Sequence, residues 1–230
     1  MKYSLHLLVS IVSIGSWTHR AVAEEVYHAQ GEFAGEPTAT TVFLQSRLTA
    51  IPGPELDPSG DVPGAEGVAS FEWSTTKDFQ TSSKTDWLKA RRENDYIVRA
   101  KLTNLTPGTR YFYRLNFGAD KTATKTGPVR ELKTLVAKNS ETPVTFVMGS
   151  CQNYAFFMYG KNANSKLAPE KDRKLGYPSY PQMTKLKPDF FIGTGDIVYY
   201  DHLSATKAQT VPELRRKWHE QFRLPRLVNF

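Results

Sequence analysis

Apolar and polar residues alternate in several short stretches of the chain. The stretch GVASFEWSTT (residues 67–76) has the period of two that is typical of a strand with one buried face. Further strand-forming stretches are ATTVFLQSRLT (39–49), DYIVRAKLTNL (95–105), TRYFYRLNFG (109–118) and VRELKTLVA (129–137). Because many short strands with turns between them are typical of two packed sheets, they predict a β-sandwich over about residues 25–137.

One loop and one turn add detail to this sandwich. The segment TAIPGPELDPSGDVPGAEG (49–67) is too rich in Pro, Gly and Asp for a helix and predicts a long loop. The stretch LTNLTPGTRYFYRL (102–115) resembles the corresponding part of fibronectin type III-like domains. The resemblance implies a turn at Pro107-Gly108, and it places Tyr111 like the tyrosine that pins the corner of such sandwiches.

The pattern changes after the polar segment AKNSETP (137–143), which predicts a linker. Short apolar runs at 144–148 and 190–192 are separated by a segment that can form a helix over 180–187. Strand, helix and strand in this order predict a βαβ unit, whose two strands usually pair in parallel.

The last part of the chain predicts an amphipathic helix. The segment TVPE (210–213) is a capping box with a proline in the first turn. Apolar residues then recur with helical spacing at Leu214, Trp218 and Phe222. This spacing predicts that these three side chains face the protein and that His219 lies on the surface.

The N-terminus has the features of a secretory signal peptide. Lys2 precedes a short apolar stretch (5–15), and Ala21-Val22-Ala23 has the form of a cleavage site. The apolar stretch is short for a membrane span, an uncleaved N-terminal anchor being the alternative to cleavage, and no other segment is long and apolar enough to span a bilayer. Without a twin-arginine pair, the sequence predicts a Sec-type signal over residues 1–23 and a secreted protein, periplasmic or extracellular.

Charge and cysteine content narrow the function classes. The formal net charge is +7 with a pI of about 9.4, but the basic residues are scattered, and no nucleic-acid-binding motif is present. Such a surface would attract anionic substrates such as phosphate esters. Cys151 is the one cysteine, so no internal disulfide can form. It is either a small buried apolar residue or a ligand or nucleophile.

Polar residues follow both apolar runs of the predicted parallel pair. Cys151 follows the first run, and Asp196 and Tyr199 follow the second. Because ligands collect at the carboxyl ends of parallel strands, a thiolate, a carboxylate and a phenolate could share a metal here. The alternatives are that Asp196 only forms a turn or an N-cap and that Tyr199 only packs.

The segments GSCQNY (149–154) and PDFFIGTGDIVYYD (188–201) together resemble the PhoD-type alkaline phosphatases. These are calcineurin-like metallophosphoesterases in which Ser-Cys-Gln replaces the usual Asp-x-His motif and a tyrosine replaces the second aspartate of Gly-Asp-x-x-Asp. The branch also carries a sandwich domain in front. The implied fold is an α/β metallophosphoesterase-like domain, of which only the first βαβ unit is present, preceded by an all-β fibronectin type III-like sandwich.

The resemblance implies a role for each residue. Cys151, Asp196 and Tyr199 would be metal ligands, with Asp196 bridging two metals and Cys151 and Tyr199 on Fe³⁺, beside Ca²⁺. The implied activity is hydrolysis of phosphate monoesters or diesters. Further ligands are expected beyond Phe230, so this stretch alone is expected to lack appreciable phosphatase activity. The implied domains are the signal peptide (1–23), the sandwich (24–137) and the start of the catalytic domain (138–230).

Two other functions remain open at this point. The chain could be a secreted binding or adhesion module, in which the sandwich is functional and the α/β part is a non-catalytic remnant. It could also be a thiol enzyme with Cys151 as nucleophile and His202 as base, although no residue in the sequence is evident as an orienting partner for that histidine. Otherwise His202 is expected on a loop outside the site. The sequence is silent on oligomeric state.

Overall fold

The computed structural model describes residues 25–161, 166–202 and 207–230. The predicted signal peptide lies outside these residues. Within the described ranges, no helix has both the length and the apolar character needed to cross a bilayer.

Two antiparallel sheets form the first part of the molecule. The smaller sheet has the order β1 (Glu32–Gly35), β2 (Val42–Arg47) and β6 (Ile97–Leu102). The larger sheet consists of β3 (Gly67–Ser74), β4 (Ser83–Lys84), β5 (Leu88–Ala90), β7 (Arg110–Gly118), β8 (Thr124–Thr126) and β9 (Arg130–Lys133). A single-turn 3₁₀ helix (Arg92–Asn94) precedes β6.

The hydrophobic core lies between these sheets. Leu44 and Val98 enter it from the smaller sheet, and Phe71 and Leu115 enter it from the larger one. A corner contact fixes the strand that supplies Leu115, because the Tyr111 hydroxyl accepts a hydrogen bond from the Thr106 amide at 2.9 Å. The sandwich expected from the strand pattern is therefore present, with the tyrosine corner that its fibronectin type III-like stretch implied.

The alternation in strand β3 predicts one buried and one exposed face, but both faces of the strand are largely buried. Glu72, on the expected solvent face, is only 4% exposed. The strand is central, with β7 on one side and β4 and β5 on the other. The Glu72 carboxylate receives hydrogen bonds from Arg114 Nε at 2.7 Å and Ser82 Oγ at 2.7 Å. The polar face is buried because these partners satisfy the charge.

The second part contains a two-stranded parallel sheet of β10 (Phe146–Gly149) and β11 (Phe190–Gly193). The connection holds α1 (Tyr154–Tyr159), α2 (Glu170–Leu175) and α3 (Ser179–Lys185). Phe191 faces Tyr180 and Phe230, at ring-centroid distances of 6.4 and 5.7 Å. The opposite face is open, with Met148 59% exposed. The strand–helix–strand order is as predicted, while its assignment to the metallophosphoesterase fold stays a prediction.

Helix α4 (Val211–Phe222) begins with the predicted capping box, and α5 (Pro225–Asn229) follows it. The burial of α4 is the reverse of the prediction. Trp218 is 52% exposed and Leu214 37%, whereas the buried positions are Lys217, His219, Glu220 and Gln221. The prediction was wrong because His219 and Gln221 have partners distant in sequence, which a local apolar pattern does not reveal, while Lys217 and Glu220 pair with each other.

Candidate metal centre

The two parallel strands bring their C-terminal loops to one edge of the sheet. Their register aligns Gly149 with Gly193. Beyond the strands, the Thr194 amide donates to the Gly149 carbonyl at 3.0 Å, and the Gln152 amide donates to the Asp196 carbonyl at 2.9 Å. These two bonds join the loop that carries Cys151 to the loop that carries Asp196.

Both loops contain residues in the left-handed backbone region. Cys151 has φ 56°, and Asp196 has φ 52°. Gly195, just before Asp196, has φ 118°, a value that side chains other than hydrogen rarely permit. Non-glycine residues in this region are uncommon and occur where the surrounding structure fixes them, often at functional sites.

The structure brings the three predicted ligands together. The Tyr199 hydroxyl donates to Oδ2 of Asp196 at 2.8 Å. Hydrogen bonding to Asp196, and then to Cys151, raises the pKa of Tyr199. Cys151 and Asp196 are exposed to solvent. The neighbouring Tyr200, 55% exposed, is not among the contacts that join this group.

This donor set fits a cation that accepts both sulfur and hard oxygen ligands. A thiolate, a carboxylate and a phenolate together carry three negative charges once the thiol and the phenol lose their protons. A trivalent ion such as Fe³⁺ offsets that charge better than Mg²⁺ does. The third donor is a phenol: within the described ranges, no three His, Cys, Asp or Glu side chains are grouped to hold a metal. Metal binding by these residues stays a prediction.

His202 lies against the site. The expectation from the sequence that it lies on a loop outside the site was wrong. Its ring stacks on Tyr199 at a centroid distance of 5.3 Å and on Phe156 at 5.1 Å. Its Nδ1 atom lies 2.9 Å from Nδ2 of Asn153. Asn153 also caps α1, because its Oδ1 atom accepts a hydrogen bond from the Phe156 amide. Asn153 is therefore the orienting partner that the sequence analysis did not find, although it stands only two residues after Cys151.

Comparison with known proteins identifies the family. The sequence model of the PhoD-like phosphatase N-terminal domain matches residues 16–135, just over half of the chain. This chain belongs to that family. The search of curated proteins gave no match to this PhoD-like chain.

Among solved structures, that of PhoD shares its fold with this chain. The structure of PhoD is 23% identical with a TM-score of 0.63, and the alignment covers 87% of this chain but only 36% of PhoD. The sensor domain of the anti-sigma factor RsgI4 from Pseudobacteroides cellulosolvens is 15% identical over 51% of this chain and 100% of the domain, with a TM-score of 0.34. A human fibronectin type III domain is 16% identical over 52% of this chain and 80% of that domain, with a TM-score of 0.35.

His219 of this PhoD-like chain is buried. The helix pattern had predicted that it lies on the surface. Its Nδ1 atom lies 2.8 Å from Asp61 Oδ1, and its Nε2 atom lies 2.7 Å from Asp95 Oδ2. Both acids belong to the sandwich part, so α4 is attached to it through this histidine. Asp61 and Asp95 precede His219 by 158 and 124 residues, which is why no sequence pattern indicated the contact.

Proposed function

We propose that this chain is the N-terminal part of a secreted, metal-dependent phosphatase that hydrolyses phosphate monoesters or diesters. The observation that carries the proposal is the hydrogen bond from Tyr199 to Asp196 beside Cys151, at the carboxyl edge of a parallel strand pair. Membership of the PhoD-like family supports the same reaction class. Secretion rests on the predicted signal peptide alone.

In this proposal, Cys151, Asp196 and Tyr199 would hold Fe³⁺, and Asp196 would also serve as a ligand of Ca²⁺. When bound, the metals supply positive charge for the phosphoryl oxygens and a water made acidic enough to attack at neutral pH. The chain's own contribution is to arrange the donors. The Gln152 amide fixes the backbone of Asp196, and the His202 ring fixes the plane of the Tyr199 phenol.

The proposed site needs more ligands than the three that meet here. This chain spans about a third of the length of PhoD. Because these three side chains do not complete a two-metal site, we expect residues 24–230 alone to show no appreciable phosphatase activity. Metal-dependent turnover of p-nitrophenyl phosphate or bis-p-nitrophenyl phosphate by residues 24–230 would refute this part of the proposal.

Ferric iron binding tests the ligand assignment directly. Residues 24–230 would be titrated with Fe³⁺ against a competing chelator, as wild type and as Cys151→Ser and Tyr199→Phe. We expect each ligand variant to bind Fe³⁺ at least about tenfold more weakly. Tyr200→Phe is the matched control, because it removes the same hydroxyl one residue further along, and it should bind like wild type. Equal binding by all four proteins would overturn the assignment and favour a binding module.

A further inference from the structure

One buried amide contacts both loops of the candidate metal centre. Gln221 on α4 is fully buried. Its Nε2 atom lies 2.6 Å from the Ile197 carbonyl oxygen and 3.4 Å from Gln152 Oε1. Ile197 follows Asp196, and Gln152 follows Cys151. We infer that Gln221 is a positioning residue that holds the two ligand loops in register for metal binding, an inference that rests on the metal centre proposed above.

The contacts of Gln152 make the arrangement specific. Its Oε1 atom also accepts from the Tyr180 hydroxyl at 2.7 Å, and its amide donates to the Asp196 carbonyl at 2.9 Å. The Gln221 amino group therefore faces two oxygens. A flipped amide would place Oε1 of Gln221 against both and would repel them, so the donor orientation is fixed.

The Gln221 side chain serves the loops and not its own helix. Its Oε1 atom is buried, with no hydrogen-bond partner among the described residues. A buried unpaired acceptor has a desolvation cost. The contacts of the amino group must offset that cost, and both of them are made to the ligand loops.

The loops need such a restraint because their conformation is uncommon. Cys151 and Asp196 both have positive φ, at 56° and 52°, and both are exposed. A non-glycine residue in this region is strained and persists only where neighbouring contacts hold it in place. Gln221 contacts Gln152, the residue after Cys151, and Ile197, the residue after Asp196. Both contacts are made from the buried side of the loops.

Side-chain contacts hold helix α4 in place on both sides of Gln221. His219, two residues before Gln221, is held between Asp61 and Asp95. Arg223, two residues after it, donates to the Tyr154 hydroxyl at 3.3 Å and also to the Pro54 carbonyl. Gln221 therefore projects from a helix that is fixed on both sides, as precise placement of ligand loops requires.

The test compares Gln221→Met with Gln182→Met in residues 24–230. Methionine keeps the length of the side chain and removes the donor, and Gln182 is an exposed glutamine on α3 that gives the same chemical change away from the loops. Two quantities would be measured: amide hydrogen exchange without metal, and Fe³⁺ affinity together with the iron–phenolate absorption band. If Gln221→Met does not fold, as judged by circular dichroism, Gln221→Glu replaces it.

We expect Gln221→Met to speed exchange in segments 149–153 and 194–200, to weaken Fe³⁺ binding about 10- to 100-fold and to shift the absorption band. Gln182→Met should change none of these. Unchanged exchange, or faster exchange with unchanged affinity and band, overturns the inference while Cys151→Ser and Tyr199→Phe still lose iron. If those two ligand variants bind Fe³⁺ like wild type, the proposed function fails, and this inference fails with it.

Discussion

The Nε2 atom of His219 lies 2.7 Å from the Oδ2 atom of Asp95, across the boundary between the sandwich and the C-terminal helices. Burial lowers the pKa of His219, but hydrogen bonds to Asp61 and Asp95 outweigh it, and the pKa is raised above its ordinary 6.5. Burial raises the pKa values of Asp61 and Asp95. The hydrogen bonds to His219 and the nearby positive charge of Arg47 outweigh burial, and both pKa values are lowered below the ordinary 3.8.

The shifts give a window of pH in which this contact stabilises the protein. Its contribution is complete below about pH 6.5 for the histidine and above about pH 3.8 for the acids. It is lost as pH rises through the raised pKa of His219 or falls through the lowered pKa values of Asp61 and Asp95. We expect His219→Gln to lower the free energy of unfolding by about 3 kcal/mol at pH 5.5, and by less at pH 9.

Urea denaturation at the two pH values measures that difference. Lys174→Gln is the control, since it removes the exposed ion pair with Glu170 and should leave the unfolding free energy unchanged at both. An equal loss at pH 5.5 and pH 9 in His219→Gln would show that the charge of the histidine does not contribute. Lys217 and Glu220 on the same helix pair with each other and remain in both proteins.

Glycine is expected to be needed at position 195 because of the backbone conformation there, and not because a larger side chain would collide with its neighbours. A Cβ at this position would meet no atom within 4 Å, but φ is 118°. Gly195→Ala should lower stability by about 1–3 kcal/mol and weaken Fe³⁺ binding, because the residue sets the position of Asp196. Gly60→Ala is the matched control, at φ 79° in open space on the sandwich. It should lower stability with unchanged Fe³⁺ binding; iron loss in both variants would contradict the local role of Gly195.

The His202 ring should orient the Tyr199 phenol. His202→Ala removes the stack at 5.3 Å, whereas His202→Phe keeps an aromatic face there. We expect the alanine variant to bind Fe³⁺ about tenfold more weakly and the phenylalanine variant to retain most of the affinity. Competition titration would measure both. Equal loss in the two variants would indicate that the imidazole nitrogens matter and the stacking does not.

Tyr111 should contribute to the stability of the sandwich through its hydroxyl. Tyr111→Phe leaves the Thr106 amide without its acceptor and should lower the free energy of unfolding by about 1–2 kcal/mol. Tyr27→Phe is the control, because the hydroxyl of Tyr27 donates to the exposed Glu25 carboxylate, and it should have no measurable effect. A similar denaturation midpoint for Tyr111→Phe and wild type would contradict the corner role.

Strong local patterns predicted most of the fold. Strands β3, β6 and β7 and helix α4 begin and end near the residues that periodicity and capping indicate. The shortest strands, β4 with two residues and β8 with three, were missed because so few residues show no period. The two six-residue helices α1 and α2 were missed for the same reason.

Less of the candidate site could be predicted. The sequence indicated Cys151, Asp196 and Tyr199 because each follows a strand end. It did not place His202 against Tyr199 or indicate Gln221, because the contacts of His202 with Asn153 and Phe156, and of Gln221 with Gln152, join residues far apart in sequence. Gln221 lies 69 residues from Gln152, and a polar residue on a helix with an apolar stripe is ordinarily assigned to solvent.

The sandwich and α4 share buried polar contacts that a shortened chain would lose. A chain cut near Ala137 would keep Asp61 and Asp95 but lose the imidazole between them, leaving Arg47 as the cation that pairs with Asp95. It would also uncover the surface around Pro54 and Glu93, to which Arg223 and Arg215 now donate. A transfer of this sandwich to another protein would keep these contacts if helix α4 and Arg223 were transferred with it.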